Sequence, residues 1–183
     1  MIRKILLVVL IFTAVLPSSN VFSAEPLKSS GLDMIESDEY EVFDAVLDKY
    51  DAFVSLEKTT ISERRLDNAA VTHLKQSRVQ VDDYLIDDFN MKNSRAYELE
   101  KRFSKKRYFT DESYQGFPGT GKESVKISRV GFNEEKDRAL IFIRYRSIAP
   151  QKEFYEEDNF VFLEKKESRW IVIKTVMASQ RYY

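Results

Sequence analysis

The acidic run Asp82-Asp83-Tyr84-Leu85-Ile86-Asp87-Asp88 is where carboxylate chemistry could most readily be assembled. On a helix at about 100° per residue, Asp83 and Asp87 point away from Val81 and Leu85 into solvent. Asp88 instead falls between Tyr84 and Val81, at the edge of the apolar stripe. A partly buried carboxylate has a raised pKa and could act as a general acid or hold a cation. Asp88 is therefore the candidate catalytic residue. The plainer use of such a residue is an ion pair with Lys92 one turn on, or a hydrogen bond to a nearby backbone amide. No second carboxylate is set beside it by the sequence, as two-carboxylate hydrolysis would need.

Other constellations carry less chemistry. His73 is the single histidine, and no Gly-x-Ser-x-Gly elbow is present to pair a nucleophile with it. With no cysteine, a zinc site would need three carboxylates around His73, an uncommon set, so neither metal nor cofactor is expected. The stretch GFPGTGKE at 116–123 matches G-x-x-x-x-G-K but puts Glu123 where a hydroxyl should hold magnesium, and it leads into a strand, so it reads as a loop. In Lys101-Arg102-Phe103-Ser104-Lys105-Lys106-Arg107-Tyr108-Phe109, cations interleave with aromatics. That composition suits an anionic surface, with Arg107 and Tyr108 as candidate contacts, or a solvated loop entering a strand. Arg144 and Arg146 could bind a ligand, or face Glu153, Glu156, Glu157 and Asp158 across strands or across a dimer. Phe142 joins them as a candidate contact on a sheet face.

The elements that must position these residues follow from length, composition and periodicity. The chain has 183 residues, 43% hydrophobic and 32% charged, with 13 Phe, 10 Tyr and no cysteine. That excludes disulfides, thiolate metal sites and cysteine nucleophiles together. Arg3 and Lys4, then the apolar run 5–16, then small residues at Ser23 and Ala24 follow the grammar of a signal peptide cleaved near Ser23/Ala24. Twelve helical residues span about 18 Å, short of the roughly 30 Å hydrocarbon core. Cleavage takes the 29 basic residues to 27 against 30 acidic, a formal charge of −3. So balanced a chain has no field to recruit nucleic acid or an anionic membrane.

After a leader at 25–36, Ser37 offers an N-cap oxygen, and Phe43, Val46, Leu47, Tyr50 and Val54 form a helical stripe. Residues 53–61 turn β-like. Ser77 and Gln80 have capping-box spacing ahead of Val81, Leu85 and Phe89, and Asn93 suits a left-handed helix stop. A short strand at 107–110 precedes four strand-like runs at 125–132, 138–148, 160–165 and 170–178, with turns at 133–137 and 166–168. In 138–148, Ala139, Ile141, Ile143 and Tyr145 share one face; on the other, Leu140 and Phe142 give way to Arg144 and Arg146. The expectation is one α+β domain at 37–183. Two or three amphipathic helices pack on a C-terminal antiparallel sheet of about four to six strands, roll-like in shape.

Ser128-Arg129-Val130-Gly131-Phe132-Asn133, Ala139-Leu140-Ile141-Phe142-Ile143, Phe162-Leu163-Glu164-Lys165-Lys166 and Arg169-Trp170-Ile171-Val172 resemble a pattern in uncharacterised exported bacterial proteins. Asp87-Asp88-Phe89-Asn90, Lys92-Asn93 and Pro118-Gly119 resemble the same group, so the likeness spans roughly 79–179. Members often carry cysteine and glycine where this chain has Ser147-Ile148-Ala149-Pro150-Gln151-Lys152-Glu153. The order of elements also resembles nuclear-transport-factor-like and cystatin-like rolls, which implies a fold and no activity. The expected function is a periplasmic or secreted, non-catalytic binding module. Its ligand would be a protein, small molecule or glycan of the envelope, with homodimerisation through the sheet open and a protective inhibitor as a special case. The alternatives are a small cell-envelope hydrolase using carboxylates such as Asp88, or an accessory protein tethered to the membrane by an uncleaved N-terminal segment.

Overall fold

A computed structural model describes residues 34–50, 54–106, 108–110, 123–148 and 154–183. The expected signal segment, nearly all of the expected leader, Arg107, the glycine-rich loop before Glu123, and Glu153 lie outside the described residues.

The chain is α+β, with three helices on both faces of a mostly antiparallel sheet. The first helix, α1 (Ser37–Leu47), is capped one residue earlier than Ser37: Glu36 and Glu39 form a reciprocal capping box. It ends at Leu47, so the apolar stripe continues past the helix, with Tyr50 packed on Tyr145 beyond it. Strand β1 (Ser55–Glu57) is shorter than the β-like run, and Thr59 and Ile61 add isolated bridges. Helix α2 (Asn68–Gln76) is capped by Asp67, and α3 (Asp83–Lys92) by Asp82. Ser77 is thus the end of α2 and not the start of α3, because Asp82 offers a carboxylate to Leu85 N–H at 2.9 Å. Asn93 does stop α3, but at φ −93°; its buried amide, not a left-handed backbone, closes the end by donating to the Phe89 carbonyl at 2.8 Å.

The strands β2 (Tyr108–Thr110), β3 (Glu123–Ile127), β4 (Gly131–Phe132), β5 (Arg138–Ile148), β6 (Phe154–Lys166) and β7 (Arg169–Tyr182) complete the sheet. Its order is β2-β1-β3-β5-β6-β7, with β4 pairing β5; β1 runs parallel to β2 and β3, and the other pairings are antiparallel. The run 125–132 is not one strand. Ser128 still donates its N–H to the Phe142 carbonyl at 2.8 Å, but its Oγ and not its backbone carbonyl accepts the Phe142 N–H, at 2.9 Å, and residues 129–130 then leave the ladder.

Alternation along β5 places Ala139, Ile141 and Ile143 beneath α1, with Phe43, Val46 and Trp170 in the same cluster. Leu140 and Phe142 face the other way, into a second cluster with Leu74 of α2, Leu85 and Phe89 of α3, and Phe160. Each helix group covers only the half of its face nearest the β6–β7 turn. On the α1 face the far half carries Tyr145, Tyr155 and Glu157; on the α3 face it carries Lys126, Arg144, Arg146, Glu156 and Asp158.

The break at 128–131 joins the layers. Arg129, wholly buried, meets Glu39 of α1 at 2.5 Å, donates to the Met34 carbonyl at 2.9 Å, and lies over the Tyr97 ring. Burial alone would lower its pKa; the Glu39 carboxylate outweighs that and raises it. Val130 N–H donates to the other oxygen of Glu39, Arg129 N–H to Asn93 Oδ1, and Phe132 N–H to Asp88 Oδ2. Gly131 stands so close to α3 that a Cβ there would lie 2.6 Å from Phe89 Cβ and 2.8 Å from its Cα.

Candidate functional site

Asp88 belongs to this clasp. Its Oδ2 is 3.0 Å from Lys92 Nζ and accepts Phe132 N–H at 2.8 Å, so both plain uses of the residue hold at once. Phe142 is fully buried between the sheet and α3, against Phe160 at 5.0 Å. A contact role for it is corrected: α3 of the same chain already covers that apolar face. His73 is exposed on α2, its Nε2 3.1 Å from the Met177 carbonyl. Tyr108 is exposed on the short strand β2, with Lys106 Nζ 5.7 Å from its ring centre; Arg107 lies outside the described residues. The interleaving around them has a packing origin: Phe103 turns inward onto Tyr40, Phe43 and Phe109, while Lys105 pairs with Asp48 at 2.8 Å.

Arg144 and Arg146 are brought together with the most polar part of the molecule. Register sets Lys126 beside Arg144, Arg144 beside Asp158, and Arg146 beside Glu156. Arg144 holds Asp158 with a two-pronged contact, Nε–Oδ1 2.8 Å and Nη2–Oδ2 3.2 Å. Arg146 reaches Glu156 at 2.8 Å and, on its other side, Glu57 of β1 at 3.1 Å. Arg181 closes on Glu156 at 2.9 Å, and Ser179 donates to Asp158 at 3.0 Å. Across β1, β3, β5, β6 and β7 the charges run acidic, basic, basic, acidic, basic: opposite signs meet at β1–β3, β5–β6 and β6–β7, the pairing a sheet favours, while Lys126 and Arg144 lie side by side with Glu57 and Asp158 on their outer flanks. Burial would raise the Asp158 carboxyl, but Arg144, with Ser179 and Arg181, holds it below its ordinary range. Asp158 is therefore ionised at neutral pH, an acceptor and not a proton donor.

A cleft of about 400 Å³ opens over this ladder, lined by Glu57, Thr60, Glu63, Lys126, Arg144 and Arg146 among others. Glu57 is 4% exposed; its Oε1 takes the Arg146 contact, while Oε2 accepts no hydrogen bond among the described residues and lies 3.5 Å from Lys126 Nζ. Thr60 is fixed at the rim because its N–H and Oγ1 bond the Tyr97 carbonyl and N–H at 2.8 and 2.9 Å. Cations and carboxylates balance here, so the cleft offers donors and acceptors side by side without a strong net field. Sequence reasoning reached the two arginines and their β6 partners; it missed Glu57, Thr60 and Lys126, which only the β1–β3–β5 order brings alongside.

On the opposite face, past the end of α1, four tyrosines form a continuous row. Tyr50 stacks on Tyr145 at 5.9 Å, Tyr145 meets Tyr155 at 6.1 Å, and Tyr155 meets Tyr182 at 5.2 Å. Glu157 sits among them, opposite Tyr145, accepting the Tyr155 hydroxyl and, at 2.6 Å, the Asn159 amide. The Tyr155 phenol is pushed up to about 12 by its bond to Glu157, then by burial and the Glu157 charge. The Tyr145 phenol is pushed to about 12 by burial, then by Glu123.

Among the described residues, no helix is long and apolar enough to cross a membrane. The chain matches no family model, no curated protein and no solved structure.

Proposed function

We propose that this chain is an exported, non-catalytic binding module and that the polar cleft over Arg144 and Arg146 takes its ligand. The observation that carries the reading is the 400 Å³ cleft, in which the buried Glu57 Oε2 has a long 3.5 Å ion-pair contact with Lys126 and accepts no hydrogen bond among the described residues. A buried acceptor with so long a contact is under-satisfied, and a ligand donor that displaces Lys126 would bond it. The flanking guanidinium groups recognise a carbonyl or carboxylate on the same ligand. A small molecule with both kinds of group, such as a sugar acid, an acylated amino sugar or a short peptide, fits that pattern. Export rests on Arg3-Lys4 and the apolar run 5–16. The non-catalytic reading draws on Asp158, which is ionised, and on Asp88, whose carboxylate is engaged in the clasp.

Two measurements test the proposal. Native mass spectrometry of protein isolated from its own envelope should give a chain beginning near Ala24 or Glu25, with retained polar small-molecule mass. An unshortened chain contradicts export. A thermal-shift panel of hexuronates, N-acetylated amino sugars and dipeptides should contain a stabilising member whose effect is lost in Glu57→Gln. A panel with no stabilising member, together with a bare native mass, contradicts the binding site.

A further inference from the structure

The two half-faces of the sheet that lie beyond the helices treat their carboxylates differently. On the cleft side, Glu57, Glu156 and Asp158 each lie within 3.5 Å of an arginine or lysine. On the tyrosine side, Glu157 forms no ion pair among the described residues. Its oxygens are held by neutral donors, Tyr155 Oη and Asn159 Nδ2. A half-buried carboxylate is thus fixed in place by neutral donors, with no ion pair among the described residues.

What surrounds it is also electronegative. Aromatic faces carry negative potential and attract cations lying over them. Register places Tyr155, Glu157 and Asn159 on one face of β6, with Tyr145 and Ser147 on β5 and Gln180 and Tyr182 on β7 beside them. Gln180 Nε2 donates to the hydroxyls of both Tyr155 and Tyr182, at 3.3 and 2.7 Å, and so sets the angle of the two rings. Tyr182 is 69% exposed, so the row is open to solvent at that end.

We propose that the row Tyr50–Tyr145–Tyr155–Tyr182 around Glu157 binds a small organic ammonium ion. The carboxylate supplies the charge, and the rings supply polarisable walls that suit the methyl or methylene rim of such a cation better than a hydrated metal ion. An anion is disfavoured by Glu157. A neutral sugar could use the rings but would leave the charge unmatched. The site lies on the opposite sheet face from the polar cleft and does not depend on it.

The test is a titration of the full chain with tetramethylammonium chloride, read from tyrosine ring NMR signals, against sodium chloride at the same ionic strength. The expected result is saturable movement of the Tyr145, Tyr155 and Tyr182 signals in the millimolar range, at least tenfold weaker in Glu157→Gln. Tyr182→Leu alters an exposed ring, keeps the fold testable, and should weaken binding several-fold. Glu57→Gln in the cleft should leave the affinity unchanged. Movement that is linear and equal for sodium, or an affinity unaffected by Glu157→Gln and Tyr182→Leu, overturns the proposal.

Discussion

Replacing Arg129 by Met should be among the most damaging single changes available to this protein. The substitution conserves much of the apolar stem but leaves Glu39, 0% exposed, as a buried carboxylate whose remaining donors are Val130 N–H at 2.9 Å and Glu36 N–H at 3.2 Å. Breaking a buried pair by removing one partner costs about 3–5 kcal/mol, because the other charge is stranded. Typical domain stability is about 5–15 kcal/mol, so the variant should fold but with much of its margin gone. In urea, with m near 2 kcal/mol/M, the midpoint should fall by roughly 1.5–2.5 M at unchanged m. Adding Glu39→Gln removes the stranded charge while keeping an acceptor for Val130 N–H. The double variant should therefore be more stable than Arg129→Met alone, the reverse of additive damage. A single variant within about 1 kcal/mol of the parent, or a double variant worse than the single, would refute the clasp as argued.

Three further outcomes follow from the same geometry. Gly131→Ala puts a methyl 2.6 Å from Phe89 Cβ and 2.9 Å from its backbone nitrogen, so α3 must move off β4; chemical denaturation should show a loss of about 1–3 kcal/mol. Ser168→Gly should instead stabilise by about 1 kcal/mol, because Glu167 and Ser168 turn the β6–β7 hairpin at φ 50° and 64°, where a Cβ is penalised; a lowered melting temperature contradicts it. Tyr145 and Tyr155 should ionise near pH 12, and Glu157→Gln should bring the Tyr155 transition down toward 10 when followed by ultraviolet absorbance. A folded pKa raised above the unfolded one stabilises fully below pH 10, and that contribution disappears as pH climbs through the folded pKa. Tyr155 in Glu157→Gln ionising where it does in the parent contradicts the assignment of Glu157 as its main cause.

The α+β class and the paired hairpins were legible because period-two alternation survives in 138–148 and because the 133–137 and 166–168 turns are strongly polar. Arg144 and Arg146 were legible as ion-pair residues for the same reason, since register follows once the hairpin is placed. Helix starts were not. Ser37 and Ser77 have cap chemistry, but Glu36 and Asp82 out-compete them by presenting carboxylates to N–H groups three residues on. The strand at 125–132 hid its break, since Ser128 and Arg129 look like ordinary outward residues until Glu39 is brought against them from 90 positions away. The segments Ser128 to Phe132 and Asp88 to Asn93 meet in space as this clasp, so they encode packing. Glu57 and Thr60 were invisible as site residues because parallel pairing of β1 with β3 leaves no local trace in sequence.

The most direct test of the binding-module account is a ¹⁵N–¹H titration of the protein with the sugar-acid, amino-sugar and dipeptide panel. The account predicts one ligand class that shifts Glu57, Thr60, Lys126, Arg144 and Arg146 together, saturably, with no such response in Glu57→Gln. Shifts confined to other surfaces, or an identical response in Glu57→Gln, would contradict it.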